Sequence, residues 1–161
     1  ITAGLGMQVL AAAAAAAEGA SADDIVALVE DLRSRTKVFG ALNTLDNLKK
    51  GGRIGGAQAM IGGLLSIKPI IDISTGSVAE ASKQRTRRKA LVWLRDRLFQ
   101  EPVIDKVAVL HGHADDIDEL VELLLPRYER EQLDIWTIGP VIGTHGGPAV
   151  VGLCWQNPPA S

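Results

Sequence analysis

Three segments of this 161-residue chain combine reactive or charged side chains with constrained backbone. The first is Gly139-Pro140-Val141-Ile142-Gly143-Thr144-His145-Gly146-Gly147-Pro148. So much glycine and proline is entropically costly unless the backbone must take special angles or approach a ligand closely. Thr144 and His145 are its only side chains able to hydrogen-bond. An imidazole can donate to a carboxylate, and a threonine hydroxyl can donate or accept. The competing reading is an ordinary connection with an exposed histidine. The second segment is Leu45-Asp46-Asn47-Leu48-Lys49-Lys50-Gly51-Gly52-Arg53-Ile54. Its two glycines allow a sharp helix exit that leaves Arg53 beside the next element, although from spacing alone a glycine cap followed by a solvated arginine is the commoner reading. The third is Lys83-Gln84-Arg85-Thr86-Arg87-Arg88-Lys89, with five cations in seven residues at a helix start. Cations there oppose the helix dipole by about 0.3–1 kcal/mol each when exposed. The placement therefore points to an anion or acidic partner, against the commoner alternative of a solvated basic face.

Other candidates carry less. His111-Gly112-His113 with Asp115 and Asp116 has a spacing that can serve a metal, but a strand end followed by an acidic helix start accounts for it, and no metal is expected. Cys154 lies among Gly, Leu and Trp and reads as a buried small hydrophobe. Gly51 to Gly56 lacks the Lys-Ser/Thr pair of a phosphate loop. No nucleophile is paired in sequence with His145, so no residue is assigned as catalytic and no cofactor is expected.

Elements must hold these segments in place. Alanine-rich Met7 to Glu18 reads as a helix ended by Gly19. Ser21 caps a second, with Asp23 and Asp24 in its first turn and Ile25, Leu28, Val29 and Leu32 as its buried stripe. Val38–Leu42 reads as a strand, Thr44 to Lys50 as a short helix, and Gln58–Ser66 as another. Ile70–Ile73 and Ser77–Ser82 read as strands about a turn at Thr75-Gly76. Thr86 caps a helix to Phe99, Lys106–Leu110 forms a strand, and a helix from Asp115 or Asp116 toward Glu131 meets Pro126. Leu133–Ile138 and Ala149–Trp155 are strands around the Gly/Pro-rich loop. The pattern is a mixed α/β (α+β) fold: residues 1–52 as the helical end of a first α/β domain, and 53–161 as a second α/β domain. The absence of an initiator Met and the helix already under way at the start suggest a cut within a larger chain. No Lys or Arg precedes the apolar run, unlike a signal peptide.

Composition narrows the classes. Hydrophobic residues are 47% and charged residues 22%, as in globular domains, while aromatic residues are only 4%, so Ala, Val, Ile and Leu must fill the interior. The net charge of −2 gives no global nucleic-acid footprint. One cysteine allows no internal disulfide, in keeping with a cytoplasmic setting. No apolar run is long enough for a transmembrane segment.

Four stretches in this order resemble the DegV family. That family carries Leu-X-X-Leu-X-X-Gly-Gly-Arg-Ile, here Leu45 to Ile54, and Ile-Lys-Pro-Ile, here Ile67 to Ile70. A Lys-X-Arg-Thr segment follows, here Lys83 to Thr86, and then a His-X-Gly-Pro loop, here His145 to Pro148. Position 146 is Gly where the family usually has Thr, which should loosen the loop. The resemblance implies a two-domain α/β protein that buries a long-chain fatty acid between its domains and presents the carboxylate to a separate ATP-dependent fatty-acid kinase subunit. It implies that His145 contacts the carboxylate, and that Arg53 and Arg85 serve the carboxylate region and kinase recognition. The family's Ser and Thr carboxylate ligands belong to the amino-terminal domain. The expected ligand-binding residues are thus His145, Thr144 and Arg53, and the expected partner-binding residues Arg85, Arg87 and Arg88. The rival functions are an acyl hydrolase or transferase with His145 as base, and a regulatory partner-binding module.

Overall fold

Strands with apolar residues on both faces need cover on both, and this sheet is covered on both. The computed structural model describes residues 2–60 and 67–159. Its strands are β1 (Thr36–Ala41), β2 (Lys68–Asp72), β3 (Ala79–Gln84), β4 (Lys106–His111), β5 (Leu133–Thr137) and β6 (Val151–Gln156). They form one six-stranded sheet in the order β3-β2-β1-β6-β4-β5, in which only the β4–β5 pair is parallel. The helices are α1 (Thr2–Ala17), α2 (Ala22–Arg35), α3 (Asp46–Lys50), α4 (Arg87–Phe99), α5 (Ile117–Leu124) and α6 (Pro140–Gly146).

The period-2 alternation of strands sorts the core by face. Phe39 and Ala41 of β1, Val107 and Val109 of β4, and Val151, Leu153 and Trp155 of β6 join Leu91, Leu94 and Leu98 of α4 and Leu120 and Leu124 of α5 in one cluster. The intervening residues turn the other way. Val38, Ala108, Leu110 and Cys154 pack with Ala3 and Met7 of α1, while Leu42, Ile71 and Val150 pack with Leu45 and Leu48 near α3. This second face therefore carries two clusters where the first carries one.

Local signals explain most boundaries. Ser21 and Thr86 accept the backbone N–H groups of Asp24 and Lys89, capping α2 and α4 as expected. Pro126 comes immediately after the Leu125 C-cap of α5, which stops at Leu124 rather than running to Glu131. Of the expected helix over 58–66, residues 58–60 belong to a 3-10 helix over Gly55–Met60, and the rest lies outside the described residues. Two expectations need larger correction. The boundary at residue 52 does not divide the sheet: β1, from the first fifty residues, is an inner strand paired with both β2 and β6. The expected Gly/Pro-rich loop is largely helical, because Pro140 presets φ at the first position of α6 and Gly147, at φ +78°, ends it.

Candidate ligand-binding site

The two motif segments meet through their short helices. Helix α3 ends in a Schellman arrangement: the Arg53 N–H reaches Leu48 O at 2.9 Å and the Gly52 N–H reaches Lys49 O at 3.1 Å, with Gly52 at φ +66°. Gly51 must be glycine for another reason, since a Cβ there would overlap the His145 ring. A Cβ on Gly147 would likewise lie 2.5 Å from Asn47 Nδ2. Glycines on both partners thus let α3 and α6 close on each other, and His145, in the last turn of α6, lies against the exit of α3. Arg53 Nη1 donates to Gly51 O at 3.0 Å, so two of the three expected head-group residues, His145 and Arg53, converge on Gly51. His145 Nδ1 is buried with no partner among the described residues. An unpaired buried polar atom of this kind costs about 1–3 kcal/mol.

Beside this junction lies an apolar cavity of about 120 Å³ on the α1/α3 face of the sheet. Its polar lining is confined to His145, Arg53 and Thr2; the rest is aliphatic, aromatic or glycine. Its floor is the residue set Val38, Gly40 and Leu42 of β1 and its extension, alongside Val150 and Gly152. Gly40 and Gly152 are direct cross-strand partners, so two adjacent floor positions carry no side chain. These glycines were not among the expected site residues. The signal was present, since an isolated glycine within an apolar strand pattern marks close approach by another group.

The remaining expected residues fall elsewhere. Thr144 does not line the cavity; its exposed hydroxyl donates back to Pro140 O at 2.8 Å. Gly146 closes α6, and a Cβ there would meet Val150 at 3.3 Å. Arg87 is not free for a partner. Its guanidinium forks onto Asp116, with Nε to Oδ2 at 2.6 Å and Nη2 to Oδ1 at 3.0 Å, and Nη2 also donates to Ala149 O at 2.8 Å. Those hydrogen bonds, joined by the guanidinium charge, hold the Asp116 carboxyl below its usual range against the opposing effect of burial. Asp116 accordingly makes no side-chain cap to α5. Arg88 pairs with Glu119 on the surface while remaining largely exposed. The acids at the start of α5 therefore answer the misplaced cations at the start of α4. Arg85 is exposed and pairs with no described acid. Cys154 is buried against Met7, and desolvation pushes its thiol up to about 12.

Comparison with known proteins gives these features a family setting. The family model described as "Uncharacterised protein, DegV family" matches residues 1–157. A DegV domain-containing protein of Halalkalibacterium halodurans is 34% identical over 144 residues, covering 86% of this chain and 50% of the relative. Protein DegV of Bacillus subtilis is 31% identical over 155 residues, covering 93% of this chain and 55% of its own length. The chain spans about half the length of the curated relatives it matches. Among solved structures, a fatty acid binding DegV family protein from Streptococcus agalactiae superposes with a TM-score of 0.84 at 32% identity, covering 97% of this chain and 56% of that one. A Thermus thermophilus DegV family protein, described by its fatty acid binding, gives 0.85 at 32% identity, covering 96% and 57%. The mixed sheet, the Gly-Gly-Arg exit of α3 and the histidine seated against it are thus features of a chain that belongs to the DegV family.

Proposed function

We propose that this chain forms part of a long-chain fatty-acid site, with the acyl chain in the apolar cavity and the carboxylate near His145 and Arg53. The observation that carries this reading is an apolar cavity with a histidine and an arginine converging beside it. Each buried methylene contributes about 0.8 kcal/mol, so the chain supplies affinity while the head group sets orientation. A carboxylate cannot be buried without partners, and a histidine with an unsatisfied buried nitrogen is a suitable neighbour. The cavity is smaller than the roughly 300–1,000 Å³ of sites enclosing whole drug-sized ligands. It fits a segment of an acyl chain rather than an entire lipid. Fatty acid binding by the Streptococcus agalactiae and Thermus thermophilus relatives supports the same reading.

The finer part of the proposal is that the protein is a carrier rather than an enzyme, presenting the carboxylate to a separate fatty-acid kinase subunit. Exposed Arg85 is a cation available to such a partner, with Arg88 at its flank. No described helix is long and apolar enough to cross a membrane. The test uses the intact protein. His145→Ala should lower retention of fatty acid during delipidation and reduce kinase-dependent acyl-phosphate formation. Arg85→Ala should reduce only the second. Unchanged retention and phosphorylation in His145→Ala would remove this histidine from the site.

A further inference from the structure

We propose that Gly40 sets the bore of the cavity, and so determines how long and how bulky an acyl chain the protein holds; this rests on the fatty-acid reading above. Along β1, Val38, Gly40 and Leu42 present successive positions to the cavity, a span of roughly 13 Å. Leu42 belongs to the cluster around α3, the end where His145 lies, and Val38 belongs to the cluster under α1. A chain with its head at His145 and its tail toward Val38 must cross Gly40. The buried residues of this face form two clusters bridged by the partly buried Ile73 and Ile138, which also line the cavity, and the Gly40–Gly152 pair lies between the two buried sets.

The two glycines are not equivalent. A Cβ on Gly152 would lie 2.5 Å from Phe39 O, so backbone packing alone demands glycine there. A Cβ on Gly40 would find its nearest neighbours at 3.7 Å (Ile71 Cγ1) and 3.8 Å (Val151 O), ordinary contact distances. Its φ is not in the left-handed region either. The surrounding structure therefore has room for a Cβ at position 40, and strands in general favour β-branched residues over glycine. Neither packing nor backbone conformation accounts for glycine there. Space for a ligand does.

The experiment compares wild type, Gly40→Ala and Gly40→Val in the intact protein. Co-purifying fatty acids are identified by mass spectrometry, and binding of hexadecanoic and decanoic acids is measured after delipidation. A valine that displaces about two methylenes should weaken hexadecanoate binding roughly tenfold. Decanoate should weaken less, the co-purifying mixture should shift to shorter chains, and Gly40→Ala should fall between. The contrast between chain lengths separates a narrowed bore from a general loss of structure. Should Gly40→Val fail to fold, the same chain-length contrast in Gly40→Ala decides. Folded variants with unchanged affinity and lipid composition would overturn the role of Gly40 and leave the fatty-acid reading standing. Wild type that retains no fatty acid would overturn both.

Discussion

The two faces of the sheet are built from the same strands and the same kinds of side chain, yet they are filled differently. Toward α4 and α5, Phe39, Leu153 and Trp155 interlock with Leu91, Leu94, Leu98 and Leu120 in one continuous cluster. Phe39 stacks on Trp155 with centroids 5.3 Å apart, and the Arg97 guanidinium lies over both rings. Toward α1 and α3, the cover is a small-residue helix at one end and two short helices at the other, with a cavity beneath. One face is packed throughout, and the other has a cavity beside two positions without side chains, Gly40 and Gly152. Full burial of a side chain makes contacts on every side, whereas a side chain bordering a void lacks partners on one.

The sharpest test of that contrast is a matched pair of truncations in helices. Leu94→Ala, on the packed face, should cost about 3 kcal/mol in chemical denaturation. Leu48→Ala borders the cavity and lacks partners on that side, so the low end of the range, about 2 kcal/mol, is expected. An equal or larger loss for Leu48 would break the comparison.

A smaller effect concerns the ion pair linking α4 to α5. Arg87→Gln should destabilise by about 2 kcal/mol, because it leaves a partly buried Asp116 without its hydrogen-bonded charge. The pH dependence has a definite sign. The pKa of Asp116 is depressed from 3.8 in the folded state, first by its hydrogen bonds from Arg87, so the pair's contribution is present above about pH 4. It is lost as pH falls below that through the folded value. Asp116→Asn should flatten this part of the acid-unfolding profile, and a profile identical to wild type would show that the fork contributes nothing.

The smallest effect sharpens the description of the cavity face, which is open under Gly40 but closed under α1. Cys154 should resist iodoacetamide at pH 8 in the folded protein and react on denaturation, since burial pushes its thiol up to about 12. Ready alkylation under native conditions would show that the α1 cover is loose.

Much of the local structure follows from neighbouring residues. The Ser21 and Thr86 caps and the glycine exit of α3 each depend on interactions within a few positions, and all appear as expected. The family motifs are local strings too, which is why membership was readable before any fold was known. Helix α6 escaped because glycine-rich composition outweighed the Pro140 start and the Gly147 stop that define it.

What the sequence determined by itself was therefore most of the elements, many of their ends and the residues worth suspecting. Tertiary structure decided which of those residues do what. Arg85, Arg87 and Arg88 are indistinguishable in a basic run, but only Arg87 is brought to Asp116, 29 positions away, and only folding reveals that it is held. His145 and Thr144 are adjacent, yet one turn of helix sends the first to Gly51 and the second back to Pro140. Gly40 and Gly152 look like isolated weak points in two strands until antiparallel register sets them opposite each other. Register is fixed by the burial of whole strand faces, an energy summed over distant residues, so no local stretch of sequence contains it.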